Sequence, residues 1–159
     1  MSLPQIAGLD LQESIGSGSV GSVFRATGSG GRGCAVKVLN SMAVNRKGLE
    51  FTLQLLQAMP PHRGILQVLG FDLLHSPYHV TCPLVGSLSA DGAGRGWKTP
   101  TLEALCGRVP ADQAWSLIYE IADSLGYMHR YGIAHGNLTT QNILIDSGAE
   151  TTTRLSDVG

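Results

Sequence analysis

Charge is scarce in this chain. Only 14% of its 159 residues are Asp, Glu, Lys or Arg, against about a quarter in ordinary soluble domains, and 11 basic residues against 12 acidic ones leave a formal net charge of −1. A nucleic-acid binder carries a basic excess that is missing here. Cysteine is scarce too. Cys34, Cys82 and Cys106 are odd in number and far apart, with no CxxC pair, so neither a disulfide framework nor a zinc site is indicated, and a reducing, cytoplasmic setting is the default expectation. The sequence holds no apolar run of the roughly 20 residues a membrane span needs. Its first ten residues, MSLPQIAGLD, lack both the basic-then-apolar order of a secretory signal and the glycine that myristoylation requires. The histidines at 62, 75, 79 and 129 show no HExxH spacing and read as structural.

What is abundant is apolar residues, at 43%, and glycine, at 21 positions, which together indicate a folded domain punctuated by turns. LDLQESI, SVFRAT and CAVKVL are β-rich runs separated by GSGSVG and GSGGRG, the pattern of glycine-turned hairpins in a small antiparallel sheet. From Val44 to Met59, Leu49, Leu53 and Leu56 with Phe51 and Leu55 predict one broad apolar helical face, ended by Pro60 and Pro61. GILQVLGFDLL and YHVTCPLV predict two further strands, and GSLSADGAGRGWKTP a polar connection between two lobes. Trp115, Ile118, Ile121, Ala122, Leu125 and Met128 recur at helical spacing between Pro110 and Gly132. NILID and TTRLSD close the chain as short strands around a turn at Ser147 and Gly148.

Gly16, Gly18 and Gly21 form a G-x-G-x-x-G loop, which in a glycine-rich chain carries little weight by itself. Strands rather than a helix follow it, which excludes a dinucleotide-binding turn, and no Gly-Lys-Ser/Thr follows, which excludes a Walker A loop. A glycine-rich hairpin capped by Val23, then a strand with Ala35-Val36-Lys37, suits a lid over a nucleotide with an ammonium beside its phosphates. A lysine in an apolar strand also calls for a counter-charge, because burying an unpaired ammonium is costly.

With YMHRYGIAHGNLTTQNILI and Asp157-Val158-Gly159 following in order, the chain from about Ile15 onward resembles the eukaryotic-type protein kinases, especially bacterial members and receptor-type pseudokinases with an HGN loop. The resemblance implies an α+β, two-lobed kinase-like fold. Residues 1–85 would form an N-lobe of antiparallel sheet plus one helix, and residues 86–159 a partial helical C-lobe. It implies that Gly16, Gly18, Gly21, Val23, Ala35 and Lys37 hold ATP, that Glu50 pairs with Lys37, and that Asn142 and Asp157 bind Mg2+. It further places Thr81 at the back of the nucleotide pocket, Cys82 to Leu84 along the adenine edge, and Leu144 beneath the base. His135 takes a packing role.

The same resemblance exposes losses. Asn137 stands where an aspartate would accept the substrate hydroxyl's proton, Thr139 where a lysine would steady the phosphate, Gly136 where an arginine would meet an activation loop, and Gln141 where a carboxylate is usual. Val158 replaces the usual phenylalanine. No activation segment or APE motif follows Gly159 in this sequence, so the expectation is a kinase fragment or pseudokinase that binds ATP and Mg2+ with phosphotransfer to Ser/Thr weak or lost. The alternatives are an active serine/threonine kinase with a non-standard loop and a scaffold that binds no nucleotide. A further expectation is an exposed apolar face on the 115–128 helix, open to a protein partner or to self-association, with no role for nucleic acid or a membrane segment.

Overall fold

The computed structural model describes residues 3–40, 45–91, 94–147 and 151–158. Strands β1 (Leu9–Ser17), β2 (Gly21–Gly28) and β3 (Gly33–Leu39) come from the three β-rich runs, and helix α1 spans Arg46–Ala58. The Asn45 side chain caps α1 by accepting the Gly48 N–H, and Pro60 and Pro61 stop it. Strands β4 (Gly70–Asp72) and β5 (His79–Pro83) complete an antiparallel sheet in the order β1-β2-β3-β5-β4. β1 is not regular: its register on β2 shifts between Leu11 and Ser14 and again between Ser14 and Gly16, which bends the strand as it enters the glycine turn.

Three expectations need correction. The run 64–74 is mostly not strand. Its first part instead lies along strand β9 (Thr151–Leu155): Ile65 forms a parallel bridge with Leu155, the Leu66 N–H donates to the Leu155 carbonyl, and the Leu155 N–H donates to the Gly64 carbonyl. β4 ends where the Asp72 carboxylate accepts the N–H groups of Leu74 and His75, bonds that hold its pKa down at about 2. Secondly, Phe51 is not on the buried face of α1. Leu53 and Leu56 are buried while Phe51 is 64% exposed, because two residues turn a helix about 200°.

Thirdly, the polar connection is a hairpin, β6 (Ser87–Asp91) with β7 (Gly94–Lys98). Tertiary contacts hold it. The Trp97 backbone N–H donates to the Glu13 carboxylate, its indole N–H donates to the Val85 carbonyl, and Arg25 lies over its ring while pairing with Glu13 at 2.8 Å. The backbone bond to Trp97, then Arg25, keep the Glu13 carboxyl below its ordinary range.

A short helix α2 (Leu102–Leu105) precedes α3 (Ala111–Arg130), and β8 (Ile143–Ser147) pairs with β9. Asp112 in the first turn of α3 and His129 and Arg130 in its last complement the helix dipole, and Gly132 at φ +73° takes the left-handed exit. One apolar core joins both lobes: Leu53, Leu56 and Met59 from the α1 side meet Met128, Ile133, Ile143 and Leu155. A smaller cluster of Leu11, Ala26, Cys34 and Val36 lines the other face of the sheet. The outer face of α3 leaves Trp115, Ile118 and Tyr119 exposed at 72%, 54% and 73%. No described helix is long and apolar enough to cross a membrane.

Candidate functional site

Side chains on a strand alternate, and residues directly opposite on neighbouring strands share a face. On β3, Cys34 and Val36 go to the small cluster, so Ala35 and Lys37 face the other way, into a cavity of about 440 Å³. Gly16, Gly18, Gly21 and Val23 of the β1–β2 hairpin form its roof. The turn is closed by reciprocal backbone bonds between Gly18 and Gly21. Gly21 lies so close to the Val38 carbonyl that a Cβ would collide with it. Asn137, Asn142, Leu144 and Asp157 form the floor.

The register decides which of Thr81 and Cys82 faces the cavity. Cys82 pairs with Ala35 and lines the cavity, whereas Thr81 pairs with Val36 and takes the opposite face. Leu84 is also outside the lining; its side chain lies against Gly33. β5 and the residues that follow it therefore meet the cavity through Cys82, Pro83 and Val85, of which Pro83 brings no N–H donor. The Val85 carbonyl already accepts the Trp97 indole and the Thr99 hydroxyl. Sequence reading missed Val85 and Thr99 as wall residues, because the hairpin that carries Thr99 there is held by contacts distant in the chain. Burial, then the nearby Asp157 charge, push the Cys82 thiol up to about 12, so it offers no thiolate for covalent chemistry.

The floor is stitched together by short-range bonds. The Asn137 N–H donates to His135 Nδ1, Asn142 Nδ2 donates to the Asn137 carbonyl at 2.8 Å, and the Ser156 N–H and hydroxyl both donate to the Asn142 carbonyl. Asp157 follows at φ +57°, a left-handed backbone that aspartate tolerates better than most residues and that is common where a side chain is aimed for function. Its Oδ2 lies 2.8 Å from Lys37 Nζ. Glu50 is not brought to Lys37: it is half-buried on α1 and outside the lining of either cavity that touches the lysine. Gly159 lies outside the described residues.

Asn142 and Asp157 supply oxygen donors on one wall, the donor type a hard divalent cation prefers. The fit is reasonable for magnesium held jointly with phosphate oxygens. Among the described residues no cluster of His, Cys, Asp or Glu could hold a metal alone.

His135 is buried, and because Nδ1 accepts the Asn137 N–H, Nε2 carries the ring proton. Burial lowers its pKa below the ordinary 6.5, outweighing the Ser156 backbone and the Asp157 charge, which act the other way. The unfolded chain therefore takes up this proton first as the pH falls, and stability present above about pH 6.5 is lost below it until the folded value is passed. Thermal melts between about pH 7.5 and 5 should show this decline, and His135→Phe should flatten it. Identical slopes for the two proteins would contradict the assignment.

Comparison with known proteins bears on this arrangement. The family description "Protein kinase domain" matches residues 9–159. A cysteine-rich receptor-like protein kinase of Arabidopsis thaliana is 32% identical over 149 residues, covering 91% of this chain and 20% of the relative. An Aurora-related protein kinase of Caenorhabditis briggsae is 29% identical, covering 91% of this chain and 46% of the relative. Dual specificity testis-specific protein kinase 2 of Mus musculus is 30% identical, covering 84% of this chain and 22% of the relative. The chain thus spans between a fifth and a half of the length of these relatives.

Proposed function

The chain belongs to the protein kinase family, and from that premise we propose that it is a cytoplasmic nucleotide-binding domain that takes ATP with Mg2+ and has weak or lost phosphotransfer to protein Ser/Thr. One observation carries the reading. A single cavity gathers a glycine-rich roof, Lys37, the oxygen donors Asn142 and Asp157 and the neutral Asn137, whose position in the kinase resemblance is that of the general base. In this reading residues 1–85 supply the lid, Lys37 and the adenine edge, and residues 86–159 supply the floor.

The chain's own groups divide the work as follows. Backbone N–H groups around Gly16 to Gly21 approach the phosphates, and Lys37 neutralises them. Val23, Ala35 and Leu144 sandwich the base, with Cys82 at its rear. Asn142 and Asp157 would hold the Mg2+, whose chemistry when bound is to neutralise charge on the transferring phosphate. Asn137 can orient a hydroxyl through its amide oxygen but cannot take its proton. Loss of the base at 137 and of the lysine at 139 favours the pseudokinase over the active serine/threonine kinase.

Thermal melting with Mg·ATP tests the binding directly. Nucleotide at 100 times its Kd should stabilise the chain by about 2.7 kcal/mol, and Lys37→Met should abolish the shift. No shift at millimolar nucleotide would favour a scaffold instead.

A further inference from the structure

A carbonyl oxygen can accept two hydrogen bonds, and the one at Val85 accepts both. The Trp97 indole N–H donates to it at 3.0 Å and the Thr99 hydroxyl at 3.1 Å. The chain has to reverse sharply to bring these donors back to it. Gly86 permits this: its φ is +116°, and a Cβ there would collide with the Lys98 carbonyl and meet the Trp97 indole nitrogen at 3.0 Å. Thr99 is then held from both sides. Before it, the Trp97 backbone N–H is fixed on the Glu13 carboxylate; after it, the Pro100 carbonyl accepts the Ile145 N–H at 2.8 Å and Thr101 bridges Leu144. The two donors differ in place: Thr99 lines the cavity of about 440 Å³, and Trp97 is outside its lining. The hydroxyl therefore covers the oxygen on the side that a bound base would approach.

We infer that Thr99 is a specificity-determining residue: it closes the Val85 carbonyl to the ligand and so sets the base wall against purines that carry a second exocyclic amine. This rests on the nucleotide reading above and deepens it. Adenine has one exocyclic amine. 2,6-Diaminopurine differs from it by one added amine, at C2, on the other side of the ring nitrogen N1. With the Val85 oxygen already saturated, the wall is one acceptor short for the second amine, and a donor buried without an acceptor weakens binding. The selection is made by a residue outside the wall strand itself, delivered by the β6–β7 hairpin and the turn at Gly86.

Direct binding of ATP and of 2-amino-ATP to the whole chain, each with Mg2+, tests this. The parent should bind 2-amino-ATP at least about fivefold more weakly than ATP, a comparison that depends on no variant's folding. Thr99→Ala, which uncovers the oxygen, should bring the two affinities to within about twofold, and Thr99→Ser, which keeps a hydroxyl, should restore the parent's ratio. Trp97→Phe frees only the acceptor position away from the cavity and should leave the ratio as it is, whereas a hairpin that had merely been loosened would shift it in both variants. Equal affinities in the parent overturn the inference and leave the nucleotide reading standing. So does a ratio that Thr99→Ala leaves alone, or one that Trp97→Phe relaxes to the same extent. A parent that binds neither nucleotide refutes the nucleotide reading, and this inference with it.

Discussion

Asn137→Asp is expected to raise phosphoryl transfer from Mg·ATP to an acceptor protein by about 10²–10⁴-fold, equivalent to roughly 3–5 kcal/mol of transition-state stabilisation. The two side chains have the same shape, so the substitution changes basicity with little change of form. The backbone at 137 is already fixed by its N–H bond to His135 and by the Asn142 amide on its carbonyl, and neither bond involves the Asn137 side chain. A carboxylate there would sit on the cavity floor with Asn142 and Asp157. The gain should lie toward the lower end, because Thr139 stands where the kinase resemblance implies a lysine that steadies the phosphate. Radiolabelled phosphate incorporation, compared between the parent and the variant in a chain that carries its acceptor platform, is the measurement. Equal rates would mean that the neutral amide is not what limits transfer.

Met128→Ala should cost about 2–5 kcal/mol of folding stability, a large share of the 5–15 kcal/mol that holds a domain of ordinary size together. Met128 has no exposed surface and sits in the cluster that joins α1 of the upper lobe to Ile143 and Leu155 below. Removing its side chain leaves a void between two elements that cannot both collapse onto it. Trp115→Ala, on the same helix but 72% exposed, should cost little despite deleting a far larger side chain. Urea denaturation distinguishes the cases: the midpoint should drop sharply for Met128→Ala with an unchanged slope, and hardly at all for Trp115→Ala. Comparable losses at both positions would mean that the outer face of α3 is covered.

Much of this was written in local order. Glycines at 16, 18 and 21, the alternation through Ala35-Val36-Lys37 and the helical spacing from Trp115 to Met128 each fix a turn, a strand face or a helix without help from distant residues, so the glycine-turned sheet and the long helix were legible at once. Lys37 and Asp157 were legible as candidates because a charge in an apolar strand and an aspartate before a glycine are chemically conspicuous. The polar connection after the sheet was misread, because nothing nearby reveals that Trp97 will meet Glu13, 84 positions earlier.

The sequence alone decided the family and the fold class, since the order of its motifs and its local periodicity carry both, and it alone puts a neutral asparagine at 137. Only the tertiary structure decided that Cys82 rather than Thr81 lines the cavity, and that Glu50 is turned away from both cavities that Lys37 touches. The physical reason is rotational: strand register and helix phase determine which side of an element each residue occupies, and both are set by packing against partners far away in the chain.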